Sequence, residues 1–366
     1  MKVSVVIPCY NCAGSIAETL ESILSQTFSD VEVIAVDDGS RDATAEVLAG
    51  YADRIKVVSQ PNSGVSIARN TGAQHATGAW VAFCDADDLW RRDKLDVFAA
   101  AIAAVPVECQ VVFSDYSVMD EGAITEARGT MSDDTMFPVF REFGLRIDDM
   151  FGGHAKLNRR SGVTGKQGID LHYGDIFQSL ILGNVILPSA VLVRRDAFHG
   201  VNGFRPEFRN AEDTEFFLRL AKEFTFLYID EPLITYRRGS ESLLATSMLK
   251  TIINGIRSVE INCRDDSESY ERFRATIDKS LARKYAKLGY FYLTELDTRN
   301  AFSAARNALR YRKGDPTAWK VMLASLLPRF ILAGARSLKT RRKSKRVSAR
   351  RAETSDDSRR ATARDR

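Results

Sequence analysis

Five short runs of β-branched and aromatic residues, at 3–7 (VSVVI), 32–36 (EVIAV), 55–58 (IKVV), 80–84 (WVAFC) and 110–113 (QVVF), alternate with segments at 12–26, 41–50, 65–77 and 91–104 that are rich in Ala, Leu, Glu and Arg. The runs are apolar at nearly every position, odd and even alike, which suits strands buried on both faces. The intervening segments read as helices, with Ser40 and Asp42 placed as caps for the second. This alternation predicts an α/β fold built on a mainly parallel, nucleotide-binding type of sheet flanked by helices.

In open sheets of this kind a ligand lies beyond the carboxyl ends of the strands. Those ends read Pro8-Cys9-Tyr10-Asn11, Asp37-Asp38-Gly39-Ser40, Gln60-Pro61-Asn62-Ser63-Gly64 and Asp85-Ala86-Asp87-Asp88. The last places three carboxylates in four positions, an arrangement tolerated at the surface or where a cation neutralises it. A diphosphate leaving group needs such a cation, Mg²⁺ or Mn²⁺, held by one or two carboxylates together with phosphate oxygens. Extended geometry would set Asp85 and Asp87 on one side, one toward the nucleotide and the other onto the ion, and turn Asp88 away toward the following helix.

Length and composition bound what surrounds this unit. At 366 residues with 45% apolar content, two or three domains with an ample core are expected. The net charge of +4 hides an asymmetry, because residues 337–366 carry 12 Lys/Arg against 4 Asp/Glu. The basicity therefore belongs to the tail. Five cysteines do not form a disulfide framework, and Cys9-x-x-Cys12 lacks the second pair of a zinc site. Buried thiols in a reducing compartment are expected. The N-terminus MKVSVVIPCY runs straight into a strand without the pattern of an export signal.

From 120 to 175 the pattern breaks into a Gly-rich segment too long for an ordinary connection. Strand candidates return at 185–193, 224–229 and 232–237, with the helix-like AEDTEFFLRLAKEF between them. Residues 243–335 are helical in pattern. Leu288, Gly289 and Tyr292, followed by Ala301, Ala305, Ala308 and Pro316, match a single tetratricopeptide-like helix pair, which one copy supports only as a helical hairpin. The expected domains are 1–240 (catalytic), 241–336 (helical) and 337–366 (a basic disordered tail).

Seven pieces in order across residues 2–240 give the chain its likeness: SVVIPCYN, VDDGSRDAT, QPNSGVSIARNTG, FCDADDLW, PSAVLVRRDAF, NGFRPEFRNAEDTEFFLRL and YRRGSES. Together they resemble a family 2 glycosyltransferase of GT-A-type fold, of the bacterial cell-envelope or polysaccharide kind. The resemblance implies a nucleotide-sugar donor, with a UDP-sugar favoured, and a divalent cation. It implies inversion at the anomeric carbon in one displacement. Pro8, Tyr10 and Asn11 fall in its opening nucleotide-site motif, and Asp38 or its neighbour Asp37 in the carboxylate position for the base. Gly64, Ser66, Arg69 and Asn70 match the next motif, with Arg69 pairing base or phosphate. Asp85, Ala86 and Asp87 match the donor and metal motif, with Asp87 and Asp85 as metal ligands. Arg237 and Arg238 add positive charge near the leaving group.

The same resemblance singles out Asp213 as the base that takes the proton of the acceptor hydroxyl. Spacing alone leaves Glu212 and Glu215 as rivals, since acidic residues in a first helical turn also meet the helix dipole favourably. Two further readings stay open: transfer to a polyprenyl phosphate, already ionised and needing no strong base, and a catalytically silent sugar-nucleotide-binding scaffold.

At the C-terminus, AWKVMLASLLPRFILAG is interrupted by Lys320, Pro328 and Arg329, short of a spanning helix. An apolar helix followed by KTRRKSKRVSARR is the two-signal arrangement for peripheral anchoring on an anionic membrane. No nucleic-acid partner is expected, because no interleaved aromatics or binding motif accompany the charge. The expected location is the cytoplasm, at the inner face of the plasma membrane, with a glycan or lipid-linked acceptor.

Overall fold

A computed structural model describes residues 1–120, 122–128, 145–162, 164–165, 167–238 and 241–333. Residues 129–144 of the long Gly-rich segment and the basic run from Ser337 onward lie outside the described residues. The chain divides into two compact units, Met1–Ile277 and Asp278–Arg366.

The first unit is built on eleven strands among the described residues: β1 (Val3–Cys9), β2 (Val31–Asp37), β3 (Lys56–Ser59), β4 (Trp80–Phe83), β5 (Leu89–Trp90), β6 (Val111–Asp120), β7 (Ala123–Glu126), β8 (Gly153–Arg160), β9 (Gln167–Gly174), β10 (Val191–Arg194) and β11 (Phe226–Arg237). Their order is β3-β2-β1-β4-β10-β6-β11-β9-β8, with β5 on β11 and β7 on β6. The expected parallel arrangement holds for β3-β2-β1-β4 and for β6 with β11. Beyond β4 the sheet becomes mixed, because β10 enters antiparallel to both β4 and β6, and β9 and β8 fold onto the far edge as an antiparallel hairpin. This hairpin occupies part of the segment that reads in sequence as an irregular connection. The predicted strand at 185–193 is shorter than expected: Pro188–Ala190 is one 3-10 turn and only Val191–Arg194 pairs. The two candidates 224–229 and 232–237 are one strand carrying an irregularity between Ile229 and Pro232.

Core burial follows from the apolar runs. Val3, Val5, Val6 and Ile7 on β1 and Val81, Ala82 and Phe83 on β4 are fully buried. Phe83 packs edge-on against Phe204 at 5.2 Å, and Phe204 stacks on Phe216 at 4.1 Å, an aromatic layer joining sheet to helix. The helix Val65–Gln74 lies unusually close to β1: a Cβ on Gly72 would stand 2.2 Å from Val6 Cγ1. That contact seats the helix whose inner face carries Arg69.

In the second unit the residues of the expected pair fall on the end of the helix Ser267–Thr294 (Leu288, Gly289, Tyr292) and on Thr298–Tyr311 (Ala301, Ala305, Ala308), and Thr298–Tyr311 is followed by the helix Pro316–Ser325. Asp297 and Asp315 cap these last two by accepting the backbone N–H of Asn300 and Ala318 at 3.1 and 2.8 Å. Ala301, Ala305 and Val321 pack as one apolar cluster, and a Cβ on Gly289 would meet Val321 Cγ1 at 2.8 Å. Small residues are what allow the backbones so close.

Candidate functional site

Nine of the residues singled out in the sequence, Pro8, Tyr10, Asn11, Asp38, Gly64, Arg69, Asp85, Ala86 and Asp87, line one cleft of about 730 Å³, and Glu212 joins them. Asp37, Asp213 and Arg237 do not line it. The cleft opens beyond the carboxyl ends of β1, β2 and β4, where the polar strand ends converge.

Its walls are tied together by loop hydrogen bonds. Asn11 Oδ1 accepts from Arg41 N at 2.8 Å, joining the end of β1 to the turn after β2. Asp38 is buried, and its carboxylate accepts from Gln60 Nε2 (2.7 Å), Ser63 N (2.8 Å) and Gly64 N (2.8 Å). Gly64 reaches that bond with φ of +92°, a conformation that favours glycine. Asp38 thus organises the 60–64 loop while keeping acceptor capacity toward the cleft. Asp37 turns inward and accepts from Ser40 N at 3.0 Å.

Arg69 is buried and bridges two carboxylates, with Nη2 at 2.6 Å from Asp85 Oδ1 and Nη1 at 2.9 Å from Glu212 Oε1. It lies over the Phe204 ring at 5.2 Å, and its Nε has no hydrogen-bond partner. Despite burial, the two anions hold its guanidinium more firmly protonated than usual. The side chain that the sequence assigns to the ligand's base or phosphate therefore also locks the donor loop to the helix Glu212–Glu223.

Asp87 is only partly neutralised. Burial, then the charge of Asp85, pushes its pKa above the usual carboxylate range, and Arg237 only partly opposes this. Asp88 points away from the cleft, as expected: it is buried, accepts from Arg237 N at 3.1 Å, and burial again pushes its pKa well up. Arg237 serves this loop from behind, with Nε donating to Asp87 O at 3.1 Å and Nη2 pairing with Glu18 Oε2 at 2.6 Å. Lys94, which no sequence motif singles out, is fully buried: it donates to Ser189 O at 2.8 Å, stands 3.5 Å from the centre of the Trp90 ring, and is lowered by burial to a pKa of about 7.

The helix carrying the carboxylates begins abruptly. Asn210 and Ala211 both have left-handed φ, +66° and +68°, and Asn254 Nδ2 donates to the carbonyls of Arg209 (2.5 Å) and Asn210 (3.0 Å) to hold the bend. A left-handed Ala is uncommon and costs about 1 kcal/mol. That cost is spent where the bend delivers Glu212 and Asp213. Asp213 is raised to a pKa of about 6, chiefly by burial and next by Glu212. Its Oδ1 accepts from Thr214 N at 2.7 Å and its Oδ2 from Asn184 Nδ2 at 3.1 Å.

Glu215 is disposed differently from its two neighbours. It is fully buried, meets Arg219 Nε at 2.7 Å and Nη2 at 2.8 Å, and faces Arg205 Nη1 at 3.1 Å. Removing one partner of such a pair leaves an uncompensated buried charge. Glu215→Ala is expected to lower the unfolding free energy by about 3 kcal/mol in denaturant melts, because it strands Arg219.

Among the described residues, no group of three or more His, Cys, Asp or Glu side chains is disposed to hold a metal ion. Asp85 and Asp87 supply two carboxylates. Two fit Mg²⁺ or Mn²⁺, which take one or two protein carboxylates and complete their shells with phosphate oxygens and water. The electrostatic state of Asp87 agrees, since it is a half-buried carboxylate whose charge a cation would stabilise.

Residues 4–162 match the family described as "Glycosyl transferase family 2". The chain is 40% identical over 121 residues to the putative teichuronic acid biosynthesis glycosyltransferase TuaG of Bacillus subtilis, covering 32% of this chain and 47% of that one. The first five curated relatives are matched over only 17% to 47% of their own length. In fold, the chain is similar to S. aureus TarS, with a TM-score of 0.55 at 18% identity over 92% of this chain and 53% of that one. It is also similar to the mannosyltransferase PcManGT of Pyrobaculum calidifontis, solved with GDP-Man and Mn²⁺, with a TM-score of 0.50 at 18% identity over 92% of this chain and 87% of that one.

Proposed function

We propose, from the match of residues 4–162 to the glycosyl transferase family 2 model, that the chain moves a sugar, with inversion, from a nucleotide-diphosphate sugar to a hydroxyl of a cell-envelope glycan or lipid-linked acceptor. The observation that carries this reading is the continuous ladder Asp85–Arg69–Glu212, which sets a carboxylate-lined donor cleft directly beside Asp213. A scaffold that only held a sugar nucleotide would not require a raised carboxyl at that place. The name of TuaG supports an envelope polymer, and the Mn²⁺ in the PcManGT structure supports a divalent ion.

In this reading Asp38 and the 60–64 loop receive the base, with UDP as the favoured nucleotide. Asp85 and Asp87 would hold Mg²⁺ or Mn²⁺, which when bound supplies positive charge to the departing diphosphate. Arg237 fixes the backbone of that loop. Asp213 accepts the acceptor hydroxyl's proton, a role suited to a carboxyl whose pKa lies near 6, since a base works best when its pKa approaches the working pH. The test is a thermal-shift screen of UDP- and GDP-sugars with and without Mn²⁺, since a true ligand raises the melting point by mass action. No shift with any nucleotide sugar would overturn the assignment.

We further place the enzyme at an anionic membrane surface. Within the second unit, Ala318 and Val321 are buried, whereas Trp319 (47%), Leu323 (61%), Leu326 (68%), Leu327 (44%) and Phe330 (77%) are exposed. No helix among the described residues is long and apolar enough to cross a membrane. An apolar face followed in sequence by the basic run suits adsorption, with each basic residue near the surface contributing about 1 kcal/mol. Truncation after Gly334 is expected to leave transfer to a soluble acceptor intact but to reduce co-sedimentation with phosphatidylserine vesicles. The full chain should lose that binding as salt rises. Equal partitioning of the two forms would show that the tail only aids solubility.

A further inference from the structure

Asp213 is reached by one side chain from outside its own helix whose orientation leaves it no freedom. Asn184 follows the helix Phe177–Leu182 and is buried within the apolar stretch LILGNVILP. Its Oδ1 accepts from Ile186 N at 3.0 Å, and its Nδ2 donates to Ile186 O at 2.9 Å. Rotating the amide by half a turn would set N–H against N–H and oxygen against oxygen. The second N–H of Nδ2 therefore stays aimed at Asp213 Oδ2, 3.1 Å away. Closing the 184–186 turn uses one N–H and the carbonyl. The remaining N–H has no structural task there.

From this geometry we infer that Asn184 is a positioning residue for the base: it fixes the plane of the Asp213 carboxylate and favours its ionised form, so that an oxygen is presented ready to take a proton. The inference rests on Asp213 being the base. Thr214 N holds the other oxygen, Oδ1, at 2.7 Å, so each oxygen has one fixed donor. The charged groups that act on Asp213 are Glu212 on its own helix, Arg69 on the helix Val65–Gln74, and Asp85 after β4; the two acids raise its pKa and Arg69 lowers it. A donor to the charged form lowers it as well. Loss of that donor must raise it.

The test compares Asn184→Ala and Asn184→Ser with the unaltered chain, measuring kcat against pH and nucleotide-sugar affinity by calorimetry. For Asn184→Ala the expected result is an acid limb moved up by about one pH unit, so that kcat is about twofold lower at pH 7 and about tenfold lower on the limb near pH 5, with donor affinity within twofold. Asn184→Ser, which restores a hydroxyl donor but not the amide closure, should recover part of the limb shift. An acid limb unmoved in Asn184→Ala, with activity reduced only in proportion to the calorimetric stoichiometry, would show that Asn184 merely closes its turn. If Asp213→Asn itself keeps its rate, the base assignment fails and not this contact alone, so the two failures are distinguishable.

Discussion

Replacing Asp87 by alanine is expected to abolish transfer and to remove the part of the nucleotide-sugar thermal shift that depends on Mn²⁺. When no cation is present, burial and Asp85 both disfavour the charge of Asp87. The fold without metal should therefore tolerate Asp87→Ala at little or no loss of melting temperature. Asp85→Ala is a less clean experiment, because Asp85 also holds the buried Arg69 at 2.6 Å and its removal would leave Glu212 as that guanidinium's remaining anion. Asp85→Ala should accordingly lower the melting point even without ligand. A ligand at a hundredfold its Kd stabilises by about 2.7 kcal/mol, so losing the metal-dependent share is readily measured. Full Mn²⁺-dependent activity in Asp87→Ala would refute the metal assignment.

The acidic cluster was legible because its signal is local. Three carboxylates at the end of an apolar run contradict burial unless something polar awaits them, and that conflict sits within four residues. The strands β1, β2 and β4 were legible for the same reason: their two-sided burial writes itself as an unbroken apolar run. The extension of β6 to Asp120 was not, since its outer half is ordered by pairing with β11, more than a hundred residues away. Nor was the hairpin of β8 and β9. GHAKLNRR has only Leu157 buried, so its pattern is nearly that of a loop.

The site shows the same division. Spacing leaves Glu212 as a rival to Asp213 for the base or as a helix-dipole acid, whereas it reaches across to Arg69, a contact spanning 143 positions that spacing cannot reveal. Asn184 left one trace, a single amide in a run of apolar residues, which signals a buried polar group with partners without saying which. Arg237 kept its place beside the donor motif but acts on the backbone of the loop.

Asp213→Asn is expected to lower turnover by about 10²–10⁴-fold, the usual worth of a general base, while changing donor affinity little. The amide keeps the size of the carboxyl and can still accept from Thr214 N, but it cannot take up a proton. The same carboxyl should set the pH dependence. Its pKa is raised to about 6, so the base is protonated and inactive below that value and ionised above it. The unaltered enzyme's rate should then rise through an acid limb near pH 6, and that limb should vanish from the residual activity of Asp213→Asn. Glu212→Gln is a different perturbation, because it weakens one of the two anions holding Arg69 and removes a negative charge next to Asp213. It should lower the acid limb and loosen donor binding, with a smaller fall in turnover. A Glu212 variant that loses turnover while Asp213→Asn keeps it would move the base by one residue. Near-normal rates in both would mean that the acceptor arrives already ionised, as a polyprenyl phosphate does, and that this helix serves to hold Arg69 and not to accept a proton.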